Sequence, residues 1–290
     1  MASETYTFES TTSFAQLGDL RLHYNEAGEG DDVLVMLHGG GPGATGWSNF
    51  KQNVPAFAER FRLLLVDQPQ FGLSDKPDVK EQYNVHAARA VRDLLDQLGI
   101  ESAHFLGNSL GGGTSMRFAL EYPERTKRLV LMGPGNACVP VLSPEPSEGL
   151  KILANFLAPP GPSREKLEQF VRIMVYDQEL VTDELIEERW KVASDPSVIQ
   201  GLINFLITVQ GTNEEQRLQL ETWREIEKIQ HRTLLTWGRD DRVLPLDGAL
   251  FALHRMPDAR LHVFPRCGHW AQLEHAREFE RISIDFLTAK

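Results

Sequence analysis

The sequence predicts an α/β protein with a mostly parallel, doubly wound sheet and an inserted set of helices. Between residues 33 and 132, apolar runs typical of buried strands alternate with stripes of apolar residues at helical spacing. From residue 136 to about residue 227 we find amphipathic helices and no convincing strand, and the alternation then resumes. We therefore predict a core of residues 1–135 and 228–290 and a helical lid of residues 136–227.

The core begins with two strands and continues with strands and helices in turn. Polar and apolar residues alternate over residues 5–17 and 20–25, which predicts an antiparallel pair with one face in water. The later predicted elements of this half are strands 33–37, 63–66 and 128–132, helices 47–58 and 84–98, and a strand and a helix on either side of Ser109.

The lid and the end of the chain contain further signals. Thr182, Asp195 with Pro196, and Thr212 with Glu215 at capping-box spacing are typical of helix starts. The proline-rich residues 158–163 predict a hinge between two lid helices. After the lid we predict strands 233–237 and 261–264 and helices 246–254 and 271–287.

Charge and composition restrict the class of partner. The formal net charge of -11 makes nucleic acid and anionic membranes poor partners, but a buried arginine could still bind a small anion. No apolar run approaches the about 20 residues that span a bilayer and the N-terminus has no signal-peptide pattern, which predicts a cytoplasmic protein. Cys138 and Cys267 form no disulfide or metal pattern, so we expect buried free thiols.

Ser109 is the candidate nucleophile. It lies in Gly-Asn-Ser-Leu-Gly, residues 107–111, between a predicted strand and a predicted helix. Such a turn strains the backbone and exposes the serine Oγ, and glycines on both sides avoid collisions of a Cβ with neighbouring elements. The five-residue pattern alone also fits a plain connection between a strand and a helix, so the rest of the chain must decide.

His269 is the candidate base, because a serine nucleophile needs a group that takes its proton. It follows the last predicted strand, where the functional groups of a parallel sheet gather. His23, His104 and His262 lie on predicted strands, where core burial or solvent exposure is expected.

Asp241 is the candidate acid that holds the base. Asp240 and Asp241 both follow the strand that ends at residue 237, and the order Ser, Asp, His is that of α/β-hydrolases. The acid of that family stands four residues before a proline, as Asp241 does before Pro245, which leaves Asp240 as a solvated neighbour.

The loop His38-Gly39-Gly40-Gly41 supplies backbone N–H groups for a developing oxyanion, as lipase-like loops of this type do. We expect the amides of Leu110 and Gly40 to be the donors, or Gly39 if the loop turns differently. A phosphate-binding loop would need Gly-Lys-Ser/Thr after the glycines, which is not present.

The whole pattern resembles the meta-cleavage product hydrolases, the serine C–C hydrolases of bacterial aromatic and steroid ring degradation. The likeness covers nearly the whole chain and is most specific in HGGGPGATGWSNF (38–50), GNSLGGGT (107–114), MVYD (174–177), ERW (188–190), WGRDDRVLPLDG (237–248) and CGHWAQLEH (267–275). Proline iminopeptidases share the glycine loop but typically have tryptophan after the serine, where Leu110 stands here.

The resemblance implies an α/β-hydrolase fold and an anionic substrate of the 2-hydroxy-6-oxohexa-2,4-dienoate type. Water splits such a substrate into 2-hydroxypenta-2,4-dienoate and a carboxylic acid, and no metal or organic cofactor is implied. Because a carbon group leaves only if its charge can spread, the dienol must first be ketonised. His269 can shuttle that proton.

The resemblance also implies the residues that bind the substrate. Arg189, on a lid helix, offers a fixed fork for the carboxylate, although residues 187–189 also fit a solvated helix face. The dienoate would lie against Trp270 and near Gly39, Asn49 and Asn108. The 6-substituent, phenyl-like or steroid-derived rather than methyl, would occupy an apolar pocket formed by residues that also fit a plain core: Leu150, Leu153, Met174, Val243 and Leu244.

Three questions stay open at the level of sequence. The chemistry can pass through an acyl-enzyme on Ser109, or His269 can activate water directly and form a gem-diol. A carboxylesterase for small aryl esters and a non-catalytic receptor that binds a small molecule under its lid are the competing functions. Relatives form oligomers, but the sequence identifies no interface for a homo-oligomer.

Overall fold

The computed structural model describes residues 6–137, 142–210 and 221–289, which form one eight-stranded sheet in the order β1-β2-β4-β3-β5-β6-β7-β8. The strands are β1 Thr12–Leu17, β2 Leu20–Ala27, β3 Val33–Leu37, β4 Arg62–Val66, β5 Ala103–Asn108, β6 Thr126–Met132, β7 Thr233–Gly238 and β8 Ala259–Phe264. Only the pairs β1–β2 and β2–β4 are antiparallel, and every other neighbouring pair is parallel. The predicted fold class is therefore confirmed.

Helices cover both faces of the sheet. The helices of the described residues are α1 Phe8–Thr11, α2 Gly46–Phe50, α3 Val54–Ala58, α4 Tyr83–Gln97, α5 Leu110–Glu121, α6 Glu148–Leu157, α7 Arg164–Met174, α8 Asp183–Ala193, α9 Pro196–Gln210, α10 Asp247–Arg255, α11 Ala271–Glu274 and α12 Ala276–Thr288. None of them is long and apolar enough to cross a bilayer.

Among the residues that the structure describes between β6 and β7, there are four helices, α6 to α9. Thr182 accepts from the Leu185 amide as the N-cap of α8, and α9 begins at Pro196, so the predicted starts of these helices are confirmed. Residues 158–163 connect α6 to α7, as predicted. Thr212, Glu215 and Cys138 lie outside the described residues.

The central strands are apolar throughout because helices bury them from both sides. Every residue of β3 is buried, and so is every residue of β5 up to Asn108. Alternate side chains of β3 enter different clusters: Val35 and Leu37 pack with α4, whereas Leu34 and Met36 pack on the opposite face with α3. This rigid sheet fixes the loops at its carboxyl edge.

Three predicted elements are wrong in extent. Residues 8–11 form a helix rather than a strand, because Thr7 and Ser10 make a reciprocal capping box. The helix predicted over residues 47–58 is two helices, since Pro55 has no N–H to continue the ladder from α2 into α3.

The closing helix is also divided. The chain leaves helical geometry at His275, with φ −125° and ψ 39°, between α11 and α12. Glu274, the last residue of α11, accepts from the amides of Gly268, Tyr176 and Asp177. These bonds tie α11 to the loop before it and to the lid.

Candidate active site

Ser109 occupies a strained turn between β5 and α5. Its backbone has φ 52° and ψ −113°, a conformation that residues with a Cβ rarely adopt. The Ser109 N–H donates to the Met132 carbonyl at 2.9 Å, and the Ser109 carbonyl accepts from the Gly135 amide at 2.8 Å. A Cβ at Gly107 or at Gly111 would overlap neighbouring backbone atoms. Both glycines of the sequence pattern are therefore sterically required.

His269 and Asp241 form a buried pair. The His269 Nδ1 lies 2.6 Å from Asp241 Oδ2, and Asp241 Oδ1 accepts from the amides of Val243 at 2.8 Å and Leu244 at 2.9 Å. Since a carboxylate only accepts, Nδ1 of His269 is the donor and its Nε2 is free to accept a proton. Asp240 is half-buried and pairs with Arg239 at 3.2 Å instead.

The backbone after β6 brings Ser109 and His269 to one place. Met132 accepts from the Ser109 amide, and the next residue, Gly133, has φ 46°. A Cβ at Gly133 would lie 3.1 Å from His269 Cε1 and 3.4 Å from Asp241 Oδ2. Within the described parts of the chain, Ser109 Oγ makes no hydrogen bond to His269 Nε2. Hydrogen bonds of this kind are often long or misaligned until a substrate binds.

The glycine loop lies on the nucleophile turn. A Cβ at Gly39 would be 3.4 Å from the Ser109 Cβ, and one at Gly40 would be 3.0 Å from a methyl carbon of Leu110. Neither the Gly40 amide nor the Leu110 amide donates to another residue that the structure describes. Two N–H groups beside Ser109 are thus available for an oxyanion.

Ser109 and His269 both face a cavity of about 200 Å³. The other expected site residues that line it are Gly39, Gly40, Asn49, Asn108, Leu110, Leu150, Leu153, Met174, Arg189, Val243, Leu244 and Trp270. Asp241 alone among the expected site residues is not part of the lining, because it lies behind His269. A wider open groove of about 1120 Å³ contacts Asp241 from outside but contains neither Ser109 nor His269.

Sequence reasoning missed six residues of this lining: Gly41, Ala44, Gly135, Phe170, Phe205 and Leu206. Phe170 and Phe205 lie on the apolar faces of α7 and α9, where the sequence pattern does not distinguish core from cavity. For Gly41 the sequence does contain a signal, because it is the third of three consecutive glycines. In the structure a Cβ at this position would overlap the ring of Phe170. A run of three glycines allows the lid to approach the loop closely.

Arg189 is buried in the cavity wall without an anionic partner in the described residues. Only 3% of it is exposed, and its guanidinium lies 4.4 Å from the centre of the Trp270 ring. The adjacent Glu188 forms its ion pair with Lys51 at 2.7 Å and acts on Arg189 only from a longer distance. Burial lowers the pKa of Arg189 to about 10, so the side chain is still a cation at neutral pH. A solvated helix face is therefore excluded for Arg189.

Four buried polar atoms on the cavity lining have no hydrogen-bond partner among the described residues: Asn49 Nδ2, Asn108 Oδ1, Arg189 Nε and His269 Nε2. Buried polar atoms are almost always paired in folded proteins, since leaving one unpaired costs about 1–3 kcal/mol. The cavity is thus built for a polar ligand that has both donors and acceptors and a negative charge to match Arg189.

Two further features of the described residues concern possible metal ligands and the free thiol. The described residues include no group of three or more His, Cys, Asp or Glu side chains that could hold a metal ion. Cys267 is a buried free thiol, as predicted, and burial raises its pKa well above the usual range. It is therefore a poor nucleophile.

Comparison with known proteins connects this geometry to a family. Residues 32–276 match the family model of the alpha/beta hydrolase fold. The chain is 46% identical over 276 residues to a 2-hydroxy-6-oxo-6-phenylhexa-2,4-dienoate hydrolase of Burkholderia cepacia, covering 93% of this chain and 92% of that protein. It is 47% identical over 276 residues, again 93% and 92%, to a 2-hydroxy-6-oxononadienedioate/2-hydroxy-6-oxononatrienedioate hydrolase of Comamonas testosteroni. A meta-cleavage product hydrolase of Pseudomonas fluorescens IP01, solved as a serine-to-alanine mutant with acetates, superposes with a TM-score of 0.83 at 30% identity, covering 96% of this chain and 98% of that one.

Proposed function

Since the chain belongs to the alpha/beta hydrolase family and, within it, to the meta-cleavage product hydrolases, we propose a role for each site residue in C–C bond hydrolysis. The enzyme hydrolyses 2-hydroxy-6-oxohexa-2,4-dienoates, which arise in the breakdown of aromatic compounds, to 2-hydroxypenta-2,4-dienoate and a carboxylic acid. The observation that supports this substrate class best is the buried, unpaired guanidinium of Arg189 in the cavity that contains Ser109. An ester substrate without a carboxylate would not need it.

Binding begins with the substrate carboxylate at Arg189. A guanidinium presents parallel N–H donors to a carboxylate, and the ion pair restores the charge balance of the cavity wall. The Trp270 ring already contacts Arg189, so a planar dienoate bound there lies against the indole. Asn49 Nδ2 and Asn108 Oδ1, both unpaired, supply a donor and an acceptor along the dienoate.

Ketonisation comes next and uses His269. Its Nε2 takes the proton of the 2-hydroxyl group and returns a proton at C5, which gives the 2,6-dioxo form. Asp241 accepts from Nδ1 and stabilises the imidazolium while the proton is held. The 2-oxo group now stands where it can accept the electrons of the bond to be broken.

Cleavage then follows at Ser109. Its Oγ bonds to C6 while His269 takes the hydroxyl proton, and the amides of Leu110 and Gly40 stabilise the oxyanion. As the oxyanion collapses, the C5–C6 bond breaks and its electron pair moves through the conjugated chain to the 2-oxo oxygen, which takes the proton from His269. Water, activated by His269, hydrolyses the acyl-serine and releases the carboxylic acid.

A gem-diol route with the same residues has His269 activate water to attack C6 without a bond to Ser109. Rapid-quench mass spectrometry of the enzyme with an aryl dienoate distinguishes the two routes. We expect a transient mass increase equal to the acyl group on the peptide that contains Ser109. If no adduct accumulates under burst conditions, the gem-diol route is favoured.

The 6-substituent is proposed to be apolar and of the size of a phenyl ring. Arg189 is the one cation among the described residues of the lining, so a second carboxylate, as in a nonadienedioate, would be buried without a counter-charge. The cavity of about 200 Å³ must hold the dienoate as well, so a steroid-derived 6-substituent would need lid movement. We expect kcat/KM to fall about 100-fold from the phenyl substrate to the dioate.

Arg189→Ala tests the substrate class. The variant should lose about 10²- to 10³-fold in kcat/KM on a phenyl dienoate, since a charge-paired carboxylate contact is removed, yet keep p-nitrophenyl ester hydrolysis within a few fold. Arg172→Ala is the matched control, because Arg172 lies on the neighbouring helix α7 and is 45% exposed. If Arg189→Ala keeps nearly full activity on both substrates, an esterase is favoured.

A further inference from the structure

The histidine of the glycine loop is completely buried and is held from both of its ring nitrogens. The Gln68 backbone amide donates to His38 Nε2 at 3.0 Å, and His38 Nδ1 lies 2.8 Å from the Gly39 carbonyl oxygen. The ring packs edge-on against Phe71, with ring centres 5.1 Å apart. His38 touches neither the cavity nor the reacting atoms, so the catalytic steps above do not use it.

The partners of His38 determine its tautomer. A backbone amide can only donate, so Nε2 is the acceptor and the ring proton is on Nδ1. Nδ1–H therefore donates to the Gly39 carbonyl. Burial also lowers the pKa of His38, in agreement with a neutral ring that accepts at Nε2.

The hydrogen bond from His38 to the Gly39 carbonyl also orients the next N–H group, that of Gly40. In a trans peptide the C=O and the following N–H point in opposite directions. Because His38 pulls the Gly39 carbonyl towards the core, the Gly40 N–H of the same peptide plane faces the other way. Gly40 lines the cavity, and its amide has no acceptor among the described residues.

Gln68 connects this peptide to the helix that starts at the nucleophile. Its side-chain amide donates to the His38 carbonyl at 2.8 Å, and its Oε1 accepts from Thr114 Oγ1 at 2.7 Å. Thr114 lies on α5, one turn after Leu110, whose amide is the second oxyanion donor proposed above. All three side chains of this chain of hydrogen bonds are fully buried.

We propose that His38, Gln68 and Thr114 form a positioning network that sets the Gly40 and Leu110 amides at the spacing an oxyanion requires. His38 is a positioning residue and not a catalytic one, because it acts only through the Gly39–Gly40 peptide. The inference rests on the proposed function, in which these two amides stabilise the negative oxygen at C6.

Two amide variants of His38 test the network. Asparagine places its NH₂ near the position of Nδ1 and can still donate to Gly39, whereas glutamine reaches the position of Nε2 and cannot. We expect His38→Gln to lower kcat for p-nitrophenyl esters about 30- to 100-fold, near the lower range for loss of one oxyanion donor, and His38→Asn to lower it less than about fivefold. Phenylboronic acid, which forms a tetrahedral anion on a serine nucleophile, should lose affinity for His38→Gln by the same factor, whereas benzoate should bind as before.

His104→Gln and Thr114→Val complete the experiment. His104 is also a buried histidine, but it lies at the other end of β5, so His104→Gln should leave kcat and boronate affinity unchanged. Thr114→Val removes one hydroxyl and leaves His38 in place, and we expect a 3- to 10-fold loss of kcat with a parallel loss for boronate. It replaces His38→Gln if that variant does not fold.

The network is wrong if His38→Gln and His38→Asn lose equally, if both keep wild-type kcat, or if boronate and benzoate affinities fall together. Ser109→Ala separates this failure from failure of the proposed function. If Ser109→Ala is inactive while His38→Gln is fully active, only the positioning role fails. If Ser109→Ala still hydrolyses the dienoate, the serine mechanism on which the oxyanion role rests fails, and if the wild-type enzyme does not hydrolyse the dienoate, the proposed function itself fails.

Discussion

The described part of the chain contains two buried pairs of histidine and aspartate with nearly the same geometry. His269 Nδ1 lies 2.6 Å from Asp241, and His23 Nδ1 lies 2.8 Å from Asp67. Each aspartate follows a strand and accepts from two backbone amides, which in the case of Asp67 belong to Gly46 and Leu73. Judged by these hydrogen bonds alone, either aspartate could orient its histidine as a general base.

The two pairs differ in what the second ring nitrogen faces. His269 Nε2 has no described partner and its ring lines the cavity with Ser109. His23 Nε2 lies 3.5 Å from Thr12 Oγ1, and the rings of Phe8 and Phe14 pack against the imidazole. We therefore propose that a pair of aspartate and histidine serves catalysis only where its free ring nitrogen faces a cavity that also contains a serine on a strained turn.

Asparagine at each aspartate gives the largest expected difference between the pairs. Asp241→Asn should lower kcat about 10⁴-fold, because the amide no longer holds the imidazole in the required tautomer. Asp67→Asn should leave kcat within a few fold but lower the free energy of unfolding by about 3 kcal/mol. Steady-state kinetics and urea denaturation measure both. If Asp67→Asn is fully folded and its kcat still falls by a large factor, the proposed difference between the two pairs is wrong.

A third pair of histidine and aspartate, His104 with Asp32, sharpens the comparison, because Asp32 is 45% exposed and raises the pKa of His104 by less than burial lowers it. Burial lowers the pKa of His104 to about 4, so between pH 6.5 and 4 the unfolded chain binds a proton that the folded chain does not. Stability from this site is present above pH 6.5 and is lost as the pH falls, by about 3 kcal/mol in total. His104→Gln should flatten this part of the curve of unfolding free energy against pH. An unchanged curve would contradict the assignment.

Alanine at the glycine beside each pair is the next test. Gly133 has φ 46°, and a Cβ added there would lie 3.1 Å from the His269 ring. Gly72 has φ 50° and lies beside Asp67. Gly133→Ala should displace the imidazole and lower kcat about 10- to 100-fold. Gly72→Ala should lower the free energy of unfolding by about 1–3 kcal/mol and spare kcat in the folded fraction. Equal kinetic losses in the two variants would mean that both pairs serve catalysis.

Thr12→Val gives the smallest expected effect. It removes the Thr12 hydroxyl, which lies near His23 Nε2 and donates to the Phe8 carbonyl at 2.8 Å. We expect a loss of about 1 kcal/mol in unfolding free energy and no change in kcat, as for a single neutral hydrogen bond. Thermal unfolding followed by circular dichroism, with an ester assay on the same samples, is sufficient. A loss of activity in Thr12→Val would show that this region acts on the site.

Much of the fold could be predicted because the apolar pattern that marks a strand or a helix lies within a short stretch of sequence. The rule that chemistry lies after each parallel strand selected Ser109, Asp241 and His269, and these residues keep their roles as predictions. By itself the rule does not separate Asp67, which also ends a strand, from Asp241; the chain order Ser, Asp, His and Pro245 make that choice, and the structure adds the cavity beyond His269. Phe170 and Phe205 were missed because a lid helix presents the same apolar face to a core and to a cavity. Cellular location and oligomeric state stay predictions.

One measurement tests the central claim, that Ser109 breaks the C–C bond of a dienoate held by Arg189. In single-turnover stopped-flow, the wild-type enzyme is mixed with 2-hydroxy-6-oxo-6-phenylhexa-2,4-dienoate, and the visible absorbance and the benzoate released are followed together. We predict that the colour disappears with one equivalent of benzoate, and that Ser109→Ala binds the substrate and releases none. Persistent colour with the wild-type enzyme, or benzoate from Ser109→Ala, would contradict the account.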